Sequence, residues 1–217
     1  MAISDPVAPS PPPDLATISL NPSAPGGARV FRVSDRRYPS PLFWSRQGTY
    51  RFDSPAARWG TCYAGVTLAS ALQERFSDQI ISGRLDYLEV AAQDTFSIGL
   101  PVDLKALDLS GPDLTAIRAT LQCFVGAYAL SQEWGRALMS HPADLEALLY
   151  QGRRCGRTCI AMLGDEENRR GFQDKLKVIN LGPIVEWDGF WQFAAALRIE
   201  WLNAPRLRPT ATWSLPA

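Results

Sequence analysis

The stretch TCYAGVTLASALQERF, residues 61–76, decides how the chain is read. Its first six residues are apolar and rich in strand formers, so TCYAGV (61–66) predicts a strand. Thr67 stands where a helix N-cap belongs, and Leu68, Leu72 and Phe76 recur at four-residue spacing along one helical stripe. Glu74 falls at the edge of that stripe, beside Ala71. Working outward, ARVFRV (28–33) alternates as a strand does. Further strands are expected over LDYLEVA (85–91), around VDLKALDL (102–109), and over TCIAML (158–163) and KVINLG (177–182). Ser110-Gly-Pro-Asp, with Pro112 in the first turn, starts a mostly helical stretch from Leu114 to about Met139, interrupted near Gly126. His141-Pro142 breaks it, with His141 expected to meet helix carbonyls. DLEALLY (144–150) then reads as a short helix. WQFAAALRIEWL (191–202) fits neither period, DEENRR (165–170) reads as a turn or helix, and RLRPTATWSLPA (206–217) loses periodicity.

Strands and helices intermingle without strict βαβ alternation, and the phosphate-binding patterns GxGxxG and GxxxxGK[ST] are absent, so an α+β domain is expected rather than a doubly wound one. That domain is expected over residues 28–217. Residues 1–27 are a composition outlier, with Pro6, Pro9, Pro11, Pro12, Pro13, Pro22 and Pro25. Fixed φ angles and missing N–H donors keep such a segment out of helix and sheet, so it is expected to be extended or disordered.

Composition excludes several function classes. Lys plus Arg and Asp plus Glu both number 22, so there is no cationic excess to hold nucleic acid or an anionic membrane. No apolar run approaches the roughly 20 residues a bilayer span needs, and the first residues carry no signal-peptide pattern. Cys62, Cys123, Cys155 and Cys159 lack C-x-x-C spacing and His141 is the only histidine, so no metal centre is expected and a reducing cytoplasm is the expected compartment. Cys155 and Cys159 read as buried or idle thiols, since no histidine partner is in view.

With one histidine, any chemistry falls to Arg, Tyr, Glu, Ser or Cys. The densest group lies in residues 29–76 and includes Arg32, Arg51, Arg58, Tyr63 and Glu74. An arginine beside a strand offers a planar fork for phosphate or carboxylate, and a tyrosine offers a stacking face for a heteroaromatic ring. A carboxylate beside both suits a nucleotide whose glycosidic bond is broken. Taken singly, each of these residues has an ordinary reading as a solvated or rim side chain.

Arg51-Phe-Asp-Ser-Pro55, Gly60-Thr-Cys-Tyr63-Ala and Ala71-Leu-Gln-Glu74 occur in the order and spacing that mark RES domains, which this chain resembles from residue 28 to about 165. VFRV (30–33) resembles the family's first strand and supplies Arg32. The resemblance implies an ADP-ribosyltransferase-like mixed sheet with flanking helices, and an enzyme that consumes NAD by cleaving its nicotinamide–ribose bond. NAD is then substrate, with no resident cofactor. Phosphorolysis, hydrolysis and ADP-ribosyl transfer all stay open. It also implies a toxin neutralised by a helix-turn-helix (Xre-type) antitoxin, with an oligomer of the two left open, and without direct contact to nucleic acid or membrane. Carried over residue by residue, Glu74, Arg51 and Tyr63 are the catalytic set, and Arg32, Arg51, Tyr63 and Gly152 the NAD-binding set. The family's Tyr-x-Ser-Arg turn is here Tyr150-Gln151-Gly152-Arg153, with glycine for serine. The family's Gly-Gly before the first signature arginine is here Thr49-Tyr50. The alternative these departures raise is a catalytically weakened protein that docks a partner or nucleotide through the same cleft. A third expectation, an exported effector, rests only on the Pro-rich N-terminus.

Overall fold

The computed structural model describes residues 8–22 and 27–205, apart from 55, 57, 112, 154 and 165–173. Pro112, Arg154, the DEENRR segment and the 206–217 tail lie outside the described residues. In chain order the elements are β1 (Arg29–Asp35), β2 (Gly60–Gly65), α1 (Leu68–Arg75), α2 (Ser77–Ile81), β3 (Arg84–Asp86), α3 (Tyr87–Ala91), β4 (Gln93–Gly99) and β5 (Ala106–Asp108). They continue with α4 (Asp113–Ala116), α5 (Gln122–Val125), α6 (Tyr128–Met139), β6 (Ala147–Gln151), β7 (Thr158–Gly164), β8 (Lys177–Pro183), α7 (Phe190–Ala196) and β9 (Glu200–Leu202). Among the described residues, seven strands form one sheet in the order β5-β6-β7-β2-β1-β4-β8, antiparallel except for the β5–β6 pair. Parallel β3 and β9 form a small second sheet.

Register sorts the side chains onto two faces. Leu107, Leu148, Tyr150, Cys159, Ala161 and Leu163 pack with Phe124 and Trp134 of α5 and α6. On the same face, Val33 and Phe31 meet Ala71, Leu72 and Phe76 of α1 and its C-cap. The opposite face gathers Val30, Cys62, Ala64, Ile98, Ile160 and Met162 under loop residues such as Trp44 and Leu104. The helices therefore lie on one side of the sheet. Leu72 and Phe76 are nearly or fully buried, worth about 1.5–3 kcal/mol each in apolar transfer. Close approach of α1 to β2 requires Gly65: a Cβ there would lie on the Ala71 backbone nitrogen and 2.5 Å from Ser70 Oγ.

Thr67 is the α1 N-cap, as its position predicts, and completes a capping box with Ser70. Two segments differ from expectation. Within 85–91 only the first residues are strand, because Asp86 accepts from the Leu88 N–H and caps α3. Residues 147–151 form β6 rather than a helix: Leu148 and Tyr150 face the helices while Ala147 and Leu149 face the other cluster, and an apolar run covered on both sides has no helical stripe to show. Residues 191–202 divide between α7 and β9.

Residues 8–22 lie along the helix side of the core. Leu15 is buried, the Pro9 carbonyl accepts from Trp134 Nε1 at 2.9 Å, and Asp14 pairs with Arg118 at 3.1 Å. His141 takes part in this docking through Nε2, 3.1 Å from the Ile18 carbonyl, while its Nδ1 accepts from Ala143 N–H. Its backbone N–H meets the Leu138 carbonyl of the preceding helix at 3.1 Å, as expected, while its ring serves the N-terminal segment.

Candidate functional site

The loop ahead of β2 is held by one buried carboxylate. Asp53 accepts from Ser45 Oγ at 2.6 Å, from the Thr49 and Tyr50 N–H groups at 3.2 Å, and from Tyr63 Oη at 3.0 Å. Phe52 is buried beside it. Its N–H donates to Tyr63 Oη at 2.9 Å, and its carbonyl accepts from Trp59 Nε1 and Thr61 Oγ1, both at 3.1 Å. From the helix side, Gln132 of α6 donates to the Gly48 and Tyr50 carbonyls. A loop pinned at so many points presents Arg51 in one place.

Arg51 is 6% exposed, and its Nη1 is buried with no hydrogen-bond partner among the described residues. The guanidinium lies 5.5 Å from the Tyr128 ring and 5.9 Å from the Tyr150 ring, within cation–π range. A buried cation with an unused donor favours an anion that reaches it.

Tyr63, on β2, puts its ring on the helix face, edge-on to Tyr50 at 5.9 Å and to Tyr150 at 6.5 Å. Its hydroxyl is occupied by Phe52 and Asp53, and burial next to the Asp53 carboxylate pushes the phenol well above its usual range. Tyr63 is thus a neutral ring and an anchor, not a proton donor at neutral pH. Tyr150, 3% exposed, is a shared neighbour. Its phenol too is pushed well up, first by burial and then by the charges of Cys159 and Glu74, while Arg51 acts in the opposite sense.

Glu74, half-buried near the end of α1, reaches the β6–β7 turn, where Cys155 Sγ donates to its Oε1 at 3.2 Å. That turn closes with Gly152 N–H to the Arg157 carbonyl and Gly156 N–H to the Gly152 carbonyl, each 2.9 Å. A Cβ at position 152 would lie on Glu74 Oε1 and 2.5 Å from Cys155 Sγ. The place a serine side chain would enter is therefore filled by the Cys155 thiol and the Glu74 carboxylate. Cys155 also neighbours Cys159, sulfur to sulfur 4.0 Å; this contact lowers the Cys155 thiol and, with burial, raises that of Cys159.

The structure thus gathers Arg51, Tyr63, Glu74 and Gly152 on the helix face of the sheet, around Tyr150. Arg32 does not join them. Strand alternation turns it to the opposite face, where Nη1 donates to Cys62 Sγ at 3.2 Å and to the Tyr63 carbonyl. Two hollows, of about 420 and 110 Å³, lie outside the cluster, lined by residues including Arg36, Glu89 and Gln93 and by residues including Ser54, Arg58 and Arg136 respectively. Over the cluster itself lie the rings of Tyr50 and Tyr128, 49% and 39% exposed. Sequence reasoning overlooked Tyr150 and Cys155 as site residues. Tyr150 looks like an ordinary core residue, and Cys155 meets the Glu74 carboxylate through a contact 81 residues distant in the chain.

Residues 29–179 match the family model described as "RES domain". A chain of the crystal structure of the M. tuberculosis MbcT–MbcA toxin–antitoxin complex shares the fold, with a TM-score of 0.57 at 16% identity over 77% of this chain and 88% of that one. No curated protein is a significant match. The mixed sheet with flanking helices is the ADP-ribosyltransferase-like arrangement. Among the described residues, no helix is long and apolar enough to cross a membrane.

Proposed function

The chain belongs to the RES domain family, and from that membership we propose that it is the toxin of a toxin–antitoxin pair and cleaves the nicotinamide–ribose bond of NAD. The observation that carries the reading is Arg51: a buried guanidinium with an unused donor, set against two tyrosine rings and sharing Tyr150 with the Glu74 carboxylate. Its place is the NAD pyrophosphate, whose oxygens match the guanidinium fork. Tyr50 and Tyr128, being exposed, turn aside at little cost to admit the dinucleotide. The Tyr63 and Tyr150 rings then flank the nicotinamide end.

Nicotinamide leaves with the bonding electron pair, which neutralises its ring and leaves positive charge on the ribosyl carbon, as in glycoside hydrolysis. Glu74 accepts from a ribose hydroxyl and stabilises that developing charge more strongly than it stabilises the ground state. The acceptor, phosphate, water or a protein side chain, attacks the opposite face and loses its proton to solvent or buffer. The antitoxin is a helix-turn-helix protein covering this face; that there is an antitoxin partner at all is supported by the toxin–antitoxin complex in which the structurally similar chain is found. The compartment is the cytoplasm, and NAD is substrate, with no resident cofactor.

Incubation of the purified protein with NAD, with and without phosphate, tests the proposal. Nicotinamide release is expected, and dependence on phosphate identifies the acceptor. A second reading, a weakened RES-fold binding protein, draws on Gly152 standing where the family has serine. NAD that stays bound without nicotinamide release would favour it.

A further inference from the structure

Three candidates outside the proposed reaction stand out: the Arg58–Arg136 hollow, the exposed apolar residues of edge strand β8, and the sulfur cluster beside Glu74. The third carries an inference. Glu74 and the sulfurs of Cys155 and Cys159 place one ligand atom each within 4.8 Å of one another. We infer that these three residues form a binding site for a zinc-class divalent cation, whose occupation takes the Glu74 carboxylate out of action.

The separations decide between chemistries. Zinc bonds of about 2.3 Å to sulfur and about 2.1 Å to oxygen give tetrahedral edges of roughly 3.8 Å between sulfurs and roughly 3.6 Å from sulfur to oxygen. The observed edges are 4.0 Å for Cys155–Cys159 and 3.2 Å for Cys155–Glu74 Oε1, each within a few tenths of an ångström of these values, and the Cys159–Glu74 edge lies within 4.8 Å. A disulfide needs the sulfurs at about 2.05 Å, a far larger closure, and leaves the carboxylate unused. Two sulfurs and one carboxylate oxygen select zinc-like ions over magnesium or calcium, which take oxygen donors. The Arg157 N–H, 3.4 Å from Cys155 Sγ, supplies the outer hydrogen bond that steadies a thiolate ligand. Binding releases the two thiol protons to solvent, with no change of oxidation state, and leaves a fourth vertex for water. C-x-x-x-C spacing and a single histidine hid this site from sequence reading, because its third ligand comes from α1.

Binding at the cluster stands without the NAD reading; only its inhibitory consequence rests on that reading. The test is a titration of the reduced, chelator-stripped full chain with Co²⁺, followed by absorbance. One equivalent is expected to produce tetrahedral visible bands and a sulfur-to-cobalt charge-transfer band, both abolished by one equivalent of Zn²⁺. Cys155→Ser is expected to halve the charge-transfer intensity and to weaken binding on the order of tenfold or more, judged against the 10–100-fold lost with outer-shell partners alone. Glu74→Gln weakens binding with the charge-transfer band retained, and Cys123→Ala changes neither. No sulfur-to-cobalt band in the parent protein, or an unchanged one in Cys155→Ser, overturns the site. Nicotinamide release is followed separately with and without Zn²⁺. Metal binding without any turnover of NAD defeats the functional reading and leaves the site standing. Turnover unaffected by bound Zn²⁺ defeats the inhibitory role.

Discussion

At the scale of single residues, position 152 shows how a departure from a family pattern is accommodated. The Cys155 thiol and the Glu74 carboxylate occupy the volume a side chain at 152 would need. Gly152→Ser must displace one or both, and because both are side-chain ends the cost falls on placement more than on folding. Nicotinamide release is expected to drop about tenfold or more, with stability changed by no more than about 1 kcal/mol. Adding Cys155→Ala removes one of the two competing groups and is expected to restore part of the rate. A double-mutant cycle checks this, and additive losses would mean that the two positions do not share one space. The glycine was legible in the sequence as a missing serine; its compensation was not, since no local pattern places Cys155 against a helix 81 residues earlier. Arg51, Tyr63 and Glu74 could be singled out because their spacing matches a family, and the fold brings all three to Tyr150. Arg32 was the weakest carry-over, and strand alternation sends it to the other face.

At the scale of elements, α1 is the part on which Glu74 depends. It has eight residues, few for a helix to hold by itself, so its cap and its buried stripe must carry it. Thr67→Ala removes one half of the capping box and is expected to cost about 1 kcal/mol, read as a lower urea midpoint at constant m-value. An unchanged midpoint would show that burial of Leu72 and Phe76 alone secures the helix. This cap was readable in advance, as were β1, β2, β7 and β8, whose apolar residues outweigh their polar ones or alternate with them. β4 was not. Gln93, Asp94, Thr95 and Ser97 are buried on it, and their needs are met by partners the sequence does not display: Arg36 and Asn180 for Asp94, the Glu89 carbonyl for Gln93, and the Gly182 carbonyl for Thr95. Phe96 and Ile98 do alternate on it, continued by Leu100, but the polar Gln93, Asp94, Thr95 and Ser97 before and between them mask the strand, because their burial is satisfied only in the fold. β6 failed for the opposite reason, being apolar on both faces.

At the scale of the whole molecule, the helix-side cluster binds sheet, loop and helices into one folding unit, with buried phenols inside it. Tyr150 stays protonated in the folded protein well above the pH at which it ionises when unfolded. Above about pH 10 the unfolded chain therefore binds fewer protons than the folded one, and stability falls with rising pH by up to about 1.4 kcal/mol per unit for this group. Below that pH its contribution is intact. Urea midpoints measured from pH 8 to 11 are expected to be flat and then to fall, and Tyr150→Phe is expected to flatten the fall. Identical slopes in the two proteins would remove Tyr150 from the account. The central claim concerns function: Arg51 holds, and Glu74 activates, a bound NAD. Its most direct measurement pairs NAD binding with nicotinamide release in the parent protein and in Glu74→Gln. The account expects both to bind NAD with similar affinity, and release by the variant to be slower by about 10²–10³-fold. Equal release from the two proteins, or no release from the parent, would contradict it.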